Sequence, residues 1–305
     1  MYSLGKKNYV SILKDQPLEV IPRYEIEEFE ITVSSSNTFQ ELRDEINPDY
    51  NICLGNICFG DFFYIHTMKY DSLVFDKKTC ILKTIRLKHS IKEKKPKNKK
   101  IAYQAKTIKG NLKLEKWSKG HKLQKSFKYR YYNKKTNTIL SYGKKFLKST
   151  SIITKLEIAD DVFLLFNEEK QLCAWLLKNP EKFLVQYYFY RKDLDSHIHF
   201  KHVPSHPKLK EYFYKTYAYV EDKVYDKMGS QYEDPDASIL KAMNDFYIEL
   251  DQIENPCIGI VALKDRLESI TRYEYPSRFD TPFGEPLSDK ERAKEFRPNK
   301  TVYNM

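Results

Sequence analysis

The chain has 305 residues, 41% of them apolar, with nine Gly and thirteen Pro, a composition that supports an ordinary core and excludes a low-complexity chain. No window approaches the roughly 18 apolar residues of a membrane span, and the first residues carry no apolar leader, so no membrane partner is expected. The formal charge of +11 is unevenly spread: residues 86–148 hold 22 Lys or Arg against two acids, Glu93 and Glu115, a local +20 that leaves −9 for the rest.

Twenty-four Tyr and eighteen Phe favour sheet and contact surfaces over a long helical bundle. The five cysteines, Cys53, Cys58, Cys80, Cys173 and Cys257, are odd in number and scattered. They read as reduced thiols, which predicts a cytoplasmic location or a place within an assembled particle such as a virion.

In chain order, residues 8–13 alternate loosely through Val10, Ile12 and Leu13. Residues 24–33 read as one strand with an acidic outer face, because Phe29, Ile31 and Val33 recur at period two. Thr38 and Glu41 have capping-box spacing ahead of a short helix. Short apolar runs between 50 and 87 predict strands broken at Gly55 and Gly60, with a turn at 76–78 between the last two.

The basic region has two parts. Residues 88–100 contain a run of lysines without an apolar side chain after Ile91, which predicts an exposed, mobile loop. Residues 101–148 instead interleave charge with Tyr103, Trp117, Phe127, Tyr129, Tyr131, Tyr132, Tyr142 and Phe146. Residues 127–131 alternate so that aromatics share one face and cations the other, 133–137 supply a turn, and 138–142 a return strand. A cationic β-hairpin is the expected result.

After this the chain turns acidic and apolar. Residues 168–178, with Leu172, Cys173, Trp175, Leu176 and Leu177, predict a helix stopped by Asn179 and Pro180. Residues 183–190 predict a strand, paired as a hairpin with 197–203. A Tyr-rich helix is expected from Ser205 to about Met228, another after Pro235 with Met243, Phe246 and Leu250 on one face, and a helix or strand-helix over 258–272. Residues 273–305 mix Pro with Phe and Tyr, as an arm lying over a neighbour does.

The fold class is therefore α+β: a β-rich part at 1–150 with a basic insertion at 86–148, a mixed α+β part at 151–271, and an extended C-terminal arm at 272–305. The binding candidates are Lys94, Lys95, Lys97, Lys99, Lys100, Trp117, Lys125, Lys128, Tyr129, Arg130, Tyr131, Lys134 and Lys135. Cations can meet phosphates while aromatic rings stack on bases, the general solution for nucleic acid with little sequence preference. The same surface also fits an acidic protein neighbour, including another copy with its −9 remainder. These features predict a non-enzymatic building block of a nucleic-acid-containing assembly, a viral or phage particle component, with other subunits as partners and no cofactor. A free-standing nucleic-acid-binding subunit is a further reading.

The alternative starts from histidine. His197, His199, His202 and His206 fall within ten residues, and two imidazoles at i and i+2 on a strand point the same way. His197-Ile-His199-Phe resembles the His-hydrophobe-His motif of the HUH endonucleases, which also place tyrosines near a lysine on a following helix. The resemblance implies a Mg or Mn ion on His197 and His199, a nucleophile at Tyr212 or Tyr214, Lys215 beside them, and DNA nicking as the activity. A zinc site from His202, His206, Cys53 and Cys58 lacks the paired Cys-x-x-Cys spacing.

Overall fold

A computed structural model describes residues 1–5, 7–20, 22–26, 30–34, 56–59, 71–88, 94–116, 127–185, 206–217, 237–254 and 256–268. The α+β class holds, with strands dominating the N-terminal half and the longer described helices in the C-terminal half. The chain begins with β1 (Tyr2–Gly5), β2 (Asn8–Lys14), β3 (Arg23–Glu25), β4 (Glu30–Val33), β5 (Asn56–Phe59), β6 (Ser72–Asp76) and β7 (Leu82–Lys88). A short helix α1 (Lys100–Gln104) leads into the long strand β8 (Thr107–Lys116). Next come β9 (Tyr129–Asn133), β10 (Thr138–Tyr142), helix α2 (Lys144–Lys148), β11 (Ile152–Ala159), β12 (Val162–Asn167) and β13 (Leu172–Lys178). A 3-10 turn at Pro180–Phe183 precedes helices α3 (Leu209–Thr216), α4 (Ala237–Asp251) and α5 (Ile258–Glu268).

Eight strands form one sheet in the order β1-β2-β8-β11-β12-β13-β10-β9, and five form a second in the order β3-β4-β7-β6-β5. All neighbours are antiparallel except β8 and β11. The sheets meet where Leu114 N–H donates to the Cys80 carbonyl at 2.8 Å and Asn111 Nδ2 to the Leu82 carbonyl at 3.1 Å. Gly110 permits the close crossing of β2, since a Cβ there would lie 2.3 Å from the Leu13 carbonyl oxygen. The larger sheet takes strands from both sides of residue 150: β10 pairs with β13 and β8 with β11.

The two faces of this sheet bury different clusters. Ile139, Leu164, Trp175 and Leu177 face a core shared with the five-stranded sheet and with α3 to α5. Leu140, Tyr142, Leu165 and Leu176 face a smaller cluster closed by Ala102 of α1 and Phe146 of α2.

Two expectations are corrected here. The segment expected as a helix at 168–178 is a turn followed by β13, which pairs with both β12 and β10. Its apolar run is continuous because a central strand buries both faces, and over so few residues that pattern matches a buried helix equally well. Where one strand was expected over 24–33, two paired strands, β3 and β4, are found, with 27–29 between them outside the described residues. Glu30 is buried at 2% exposure and holds Arg86 at 2.6 Å. The capping-box helix at 38–46, the histidine hairpin at 183–203 beyond its first residues, and the arm at 272–305 lie outside the described residues.

Candidate nucleic-acid interface

The hairpin of β9 and β10 forms as expected, and a buried polar chain fixes its shape. Asn137 closes the turn at φ 49°, accepts a hydrogen bond from the Tyr132 hydroxyl at 2.9 Å and donates to Glu181 Oε2 at 2.8 Å. Burial and the nearby Glu181 carboxylate push the Tyr132 phenol well above its ordinary value, so it remains a donor.

Residues 94–100 are pinned across the outer side of this hairpin, against the expectation of a mobile loop. Lys94 N–H donates to the Arg130 carbonyl at 2.8 Å, and the Tyr142 hydroxyl donates to the Lys94 carbonyl. Asn98 Nδ2 donates to the carbonyls of Phe146 at 2.7 Å and Ser149 at 3.1 Å. Pro96 is buried, as is Ala102 of the helix that follows. A few short side chains anchor the segment, and a reading of its charge alone passes over them.

This clamp brings three acid-free segments together: 94–104, 127–135 and 143–148 contain no Asp or Glu. Lys94, Lys95, Lys97, Lys100 and Lys128 are exposed, Lys99 partly so. Tyr129 and Tyr131 are half-buried, two residues apart on β9, and both pack against the smaller cluster. The Lys94 and Lys128 ammonium groups stand 4.9 and 5.5 Å from the Tyr129 ring centre. Lys99 Nζ lies 3.2 Å from the Tyr131 hydroxyl and 5.2 Å from its ring centre.

The exposed Lys144 and Lys148 extend this surface from α2, which Asn98 ties to the segment through Phe146. They were missing from the sequence candidates; the signal was present in the lysines that follow Gly143, just past the return strand. Between them Lys145 is half-buried, and loss of hydration lowers its pKa, with Cys173 and Glu169 opposing. Burial pushes the Cys173 thiol up to about 12, so it is an inert core group.

The remaining candidates part from this face. Arg130 is fully buried and stacks its guanidinium 5.0 Å from the Tyr217 ring, so it braces the hairpin against the end of α3 and cannot touch a phosphate. Tyr132, on the same side of β9, likewise packs on Phe213 and Tyr217, so this part of the strand is turned toward α3 while Lys128 just before it is exposed. Lys134 holds its ammonium 3.4 Å above Tyr214, on the α3 side, and Lys135 is exposed in the turn. Trp117 and Lys125 lie outside the described residues.

On α3, Tyr212 is 4% exposed, stacked on His206 at 5.7 Å and beside Phe246 at 5.8 Å. Tyr214, two positions on, points elsewhere on the helix and lies under Lys134. Lys215 pairs with Glu249 at 3.2 Å and Glu211 at 3.8 Å. His197 and His199 lie outside the described residues, and among those described no three His, Cys, Asp or Glu form a group able to hold a metal. No helix among the described residues is long and apolar enough to cross a membrane.

No protein-family model matches the chain, and neither does any curated protein.

Proposed function

We propose that the protein is a non-enzymatic building block of a nucleic-acid-containing assembly, such as a viral or phage particle. In this reading the face formed by 94–104, β9 and α2 lies against the polyanion. The remainder of the chain, with its −9, and the arm at 272–305 contact neighbouring subunits, copies of this chain among them. The observation that carries the reading is the clamp on residues 94–100. Lysines on a loose loop are an ordinary solvated feature, whereas here Asn98, Pro96 and the bonds of the Lys94 amide to Arg130 and of the Tyr142 hydroxyl to the Lys94 carbonyl hold them beside two half-exposed tyrosines with no acid among them. Fixed cations engage phosphates without the ordering cost that a loop incurs on binding.

The test is a salt titration of nucleic-acid binding by the full chain, combined with light scattering after gel filtration. Binding that falls steeply with salt, together with larger particles when nucleic acid is added, is expected. Replacing Lys94, Lys95, Lys97 and Lys100 by Glu should abolish both. A chain that stays monomeric under all conditions and binds no polyanion at low salt would falsify the reading.

A further inference from the structure

Resting on that reading, we infer that the occupant of this face is unpaired nucleic acid, with successive bases stacked on Tyr129 and Tyr131. Spacing is the first reason. Side chains at i and i+2 on a strand share a face roughly 6.7 Å apart. Bases along one strand of a duplex recur every 3.4 Å and are already stacked on each other. Two neighbouring bases can therefore lie on both rings only if the strand is extended and unstacked.

Ring orientation is the second. One side of the Tyr129 ring rests on Tyr142, with centres 5.6 Å apart and planes tilted by 34°, and Lys94 and Lys128 approach the ring at 4.9 and 5.5 Å. At Tyr131 the Lys99 ammonium is 3.2 Å from the hydroxyl and 5.2 Å from the ring centre, so it lies toward the hydroxyl end of a half-exposed ring. Each ring thus has an ammonium close by, positioned for the phosphate of the base that stacks there. Base stacking on aromatics is sequence-tolerant, because every base presents a π face.

The edge of the sheet is the third. An acidic protein segment adding as a new strand would need the open edge of β9, but the Arg130 carbonyl already accepts from Lys94 N–H. What remains accessible on this side is rings and ammonium groups, which suit bases and phosphates better than a peptide backbone.

The experiment uses the full chain and four probes: fluorescein-labelled dT20 and rU20, a labelled 20-base-pair duplex, and heparin, which has the charge but no bases. Both single strands are expected to bind at least tenfold tighter than the duplex. With about six lysines engaged, the logarithm of affinity should fall with a slope of about 4 against the logarithm of salt. Tyr131→Leu is expected to weaken the single strands about 5- to 100-fold and leave heparin unchanged, whereas Tyr131→Phe stays within about twofold. Tyr129→Leu should act likewise, and because Tyr129 packs on Tyr142, Tyr131→Leu keeps the test valid if that variant misfolds.

Duplex binding as tight as single-strand binding, or poly-glutamate competing as well as dT20, overturns the inference while the cationic face stands. So does a Tyr131→Leu variant that holds the single strands as well as the parent. Failure of all four probes to bind overturns the proposed function itself.

Discussion

Arg86 and Glu30 meet at 2.6 Å inside the five-stranded sheet with side-chain exposures of 10% and 3%, and the Thr32 hydroxyl donates a further bond to Glu30 at 3.2 Å. Two charges withdrawn from water depend on each other, because removing one leaves its partner desolvated and uncompensated. Arg86→Met is expected to cost about 3–5 kcal/mol in urea denaturation, and Glu30→Leu added to it should recover most of that loss. A double variant no more stable than Arg86→Met would show that the pair does not act as a unit. Lys155 presents the opposite case: it is 9% exposed with its ammonium 4.5 Å from the Phe163 ring, and burial first, then Lys178, lowers its pKa below the ordinary 10.5. Between the lowered folded value and the ordinary unfolded one the unfolded chain binds more protons, so stability rises with pH across that window. Lys155→Met should flatten this rise on the alkaline side of neutrality and increase the urea midpoint at pH 7. An unaltered slope would mean that another group titrates there.

Among the elements, the segment 94–100 has the clearest mechanical role, since it covers part of the outer edge of β9 and carries the exposed lysines. Asn98→Ala removes two hydrogen bonds to the α2 region, at 2.7 and 3.1 Å, and should cost about 1–2 kcal/mol. Hydrogen exchange at the Lys94 amide should accelerate in that variant far more than at β12. Equal protection at Lys94 with and without the Asn98 amide would show that Pro96 and the bonds of Lys94 to Arg130 and Tyr142 suffice. How much of this was legible in the sequence follows from where each signal resides. The β9–β10 hairpin was readable because Asn133 to Asn137 carry turn chemistry, residues 127–131 alternate before it and a short apolar run follows it. Alternation also placed Tyr129 and Tyr131 together, but it cannot say which side of a strand faces water; that depends on α3, some 75 residues later, whose end covers Arg130. The same limit hid β13, whose neighbours on both sides turn a short apolar run into a central strand, and Glu30, whose burial depends on an arginine 56 positions away.

At the scale of the whole molecule, the larger sheet bends back on itself at its first strand. Ser3 N–H donates to the Lys170 carbonyl at 2.8 Å and Ser3 bridges Gln171, so β1 reaches the entrance of β13 from the far end of the strand order. Tyr2 secures the contact with its ring 4.9 Å from Phe166 and its hydroxyl 3.1 Å from Thr154 Oγ1. Leu4, 1% exposed, shares the lining of a small void with Leu73, Ile85 and Leu87 of the five-stranded sheet and Leu164 and Leu172 of its own. The earliest described strand thus depends on residues about 150 to 170 positions later, which makes the closure a contact of high sequence separation that carries a large loop-closure cost. Leu4→Ala is expected to cost about 2–5 kcal/mol, toward the upper end because the adjoining void leaves few atoms that can collapse into the space. Urea unfolding followed by near-ultraviolet dichroism measures that cost, and hydrogen exchange at the Ser3 amide reports whether the closure opens first. Loss of Ser3 protection with an unchanged urea midpoint would mean that the first strand is a separable flap, and that the two sheets hold together without it.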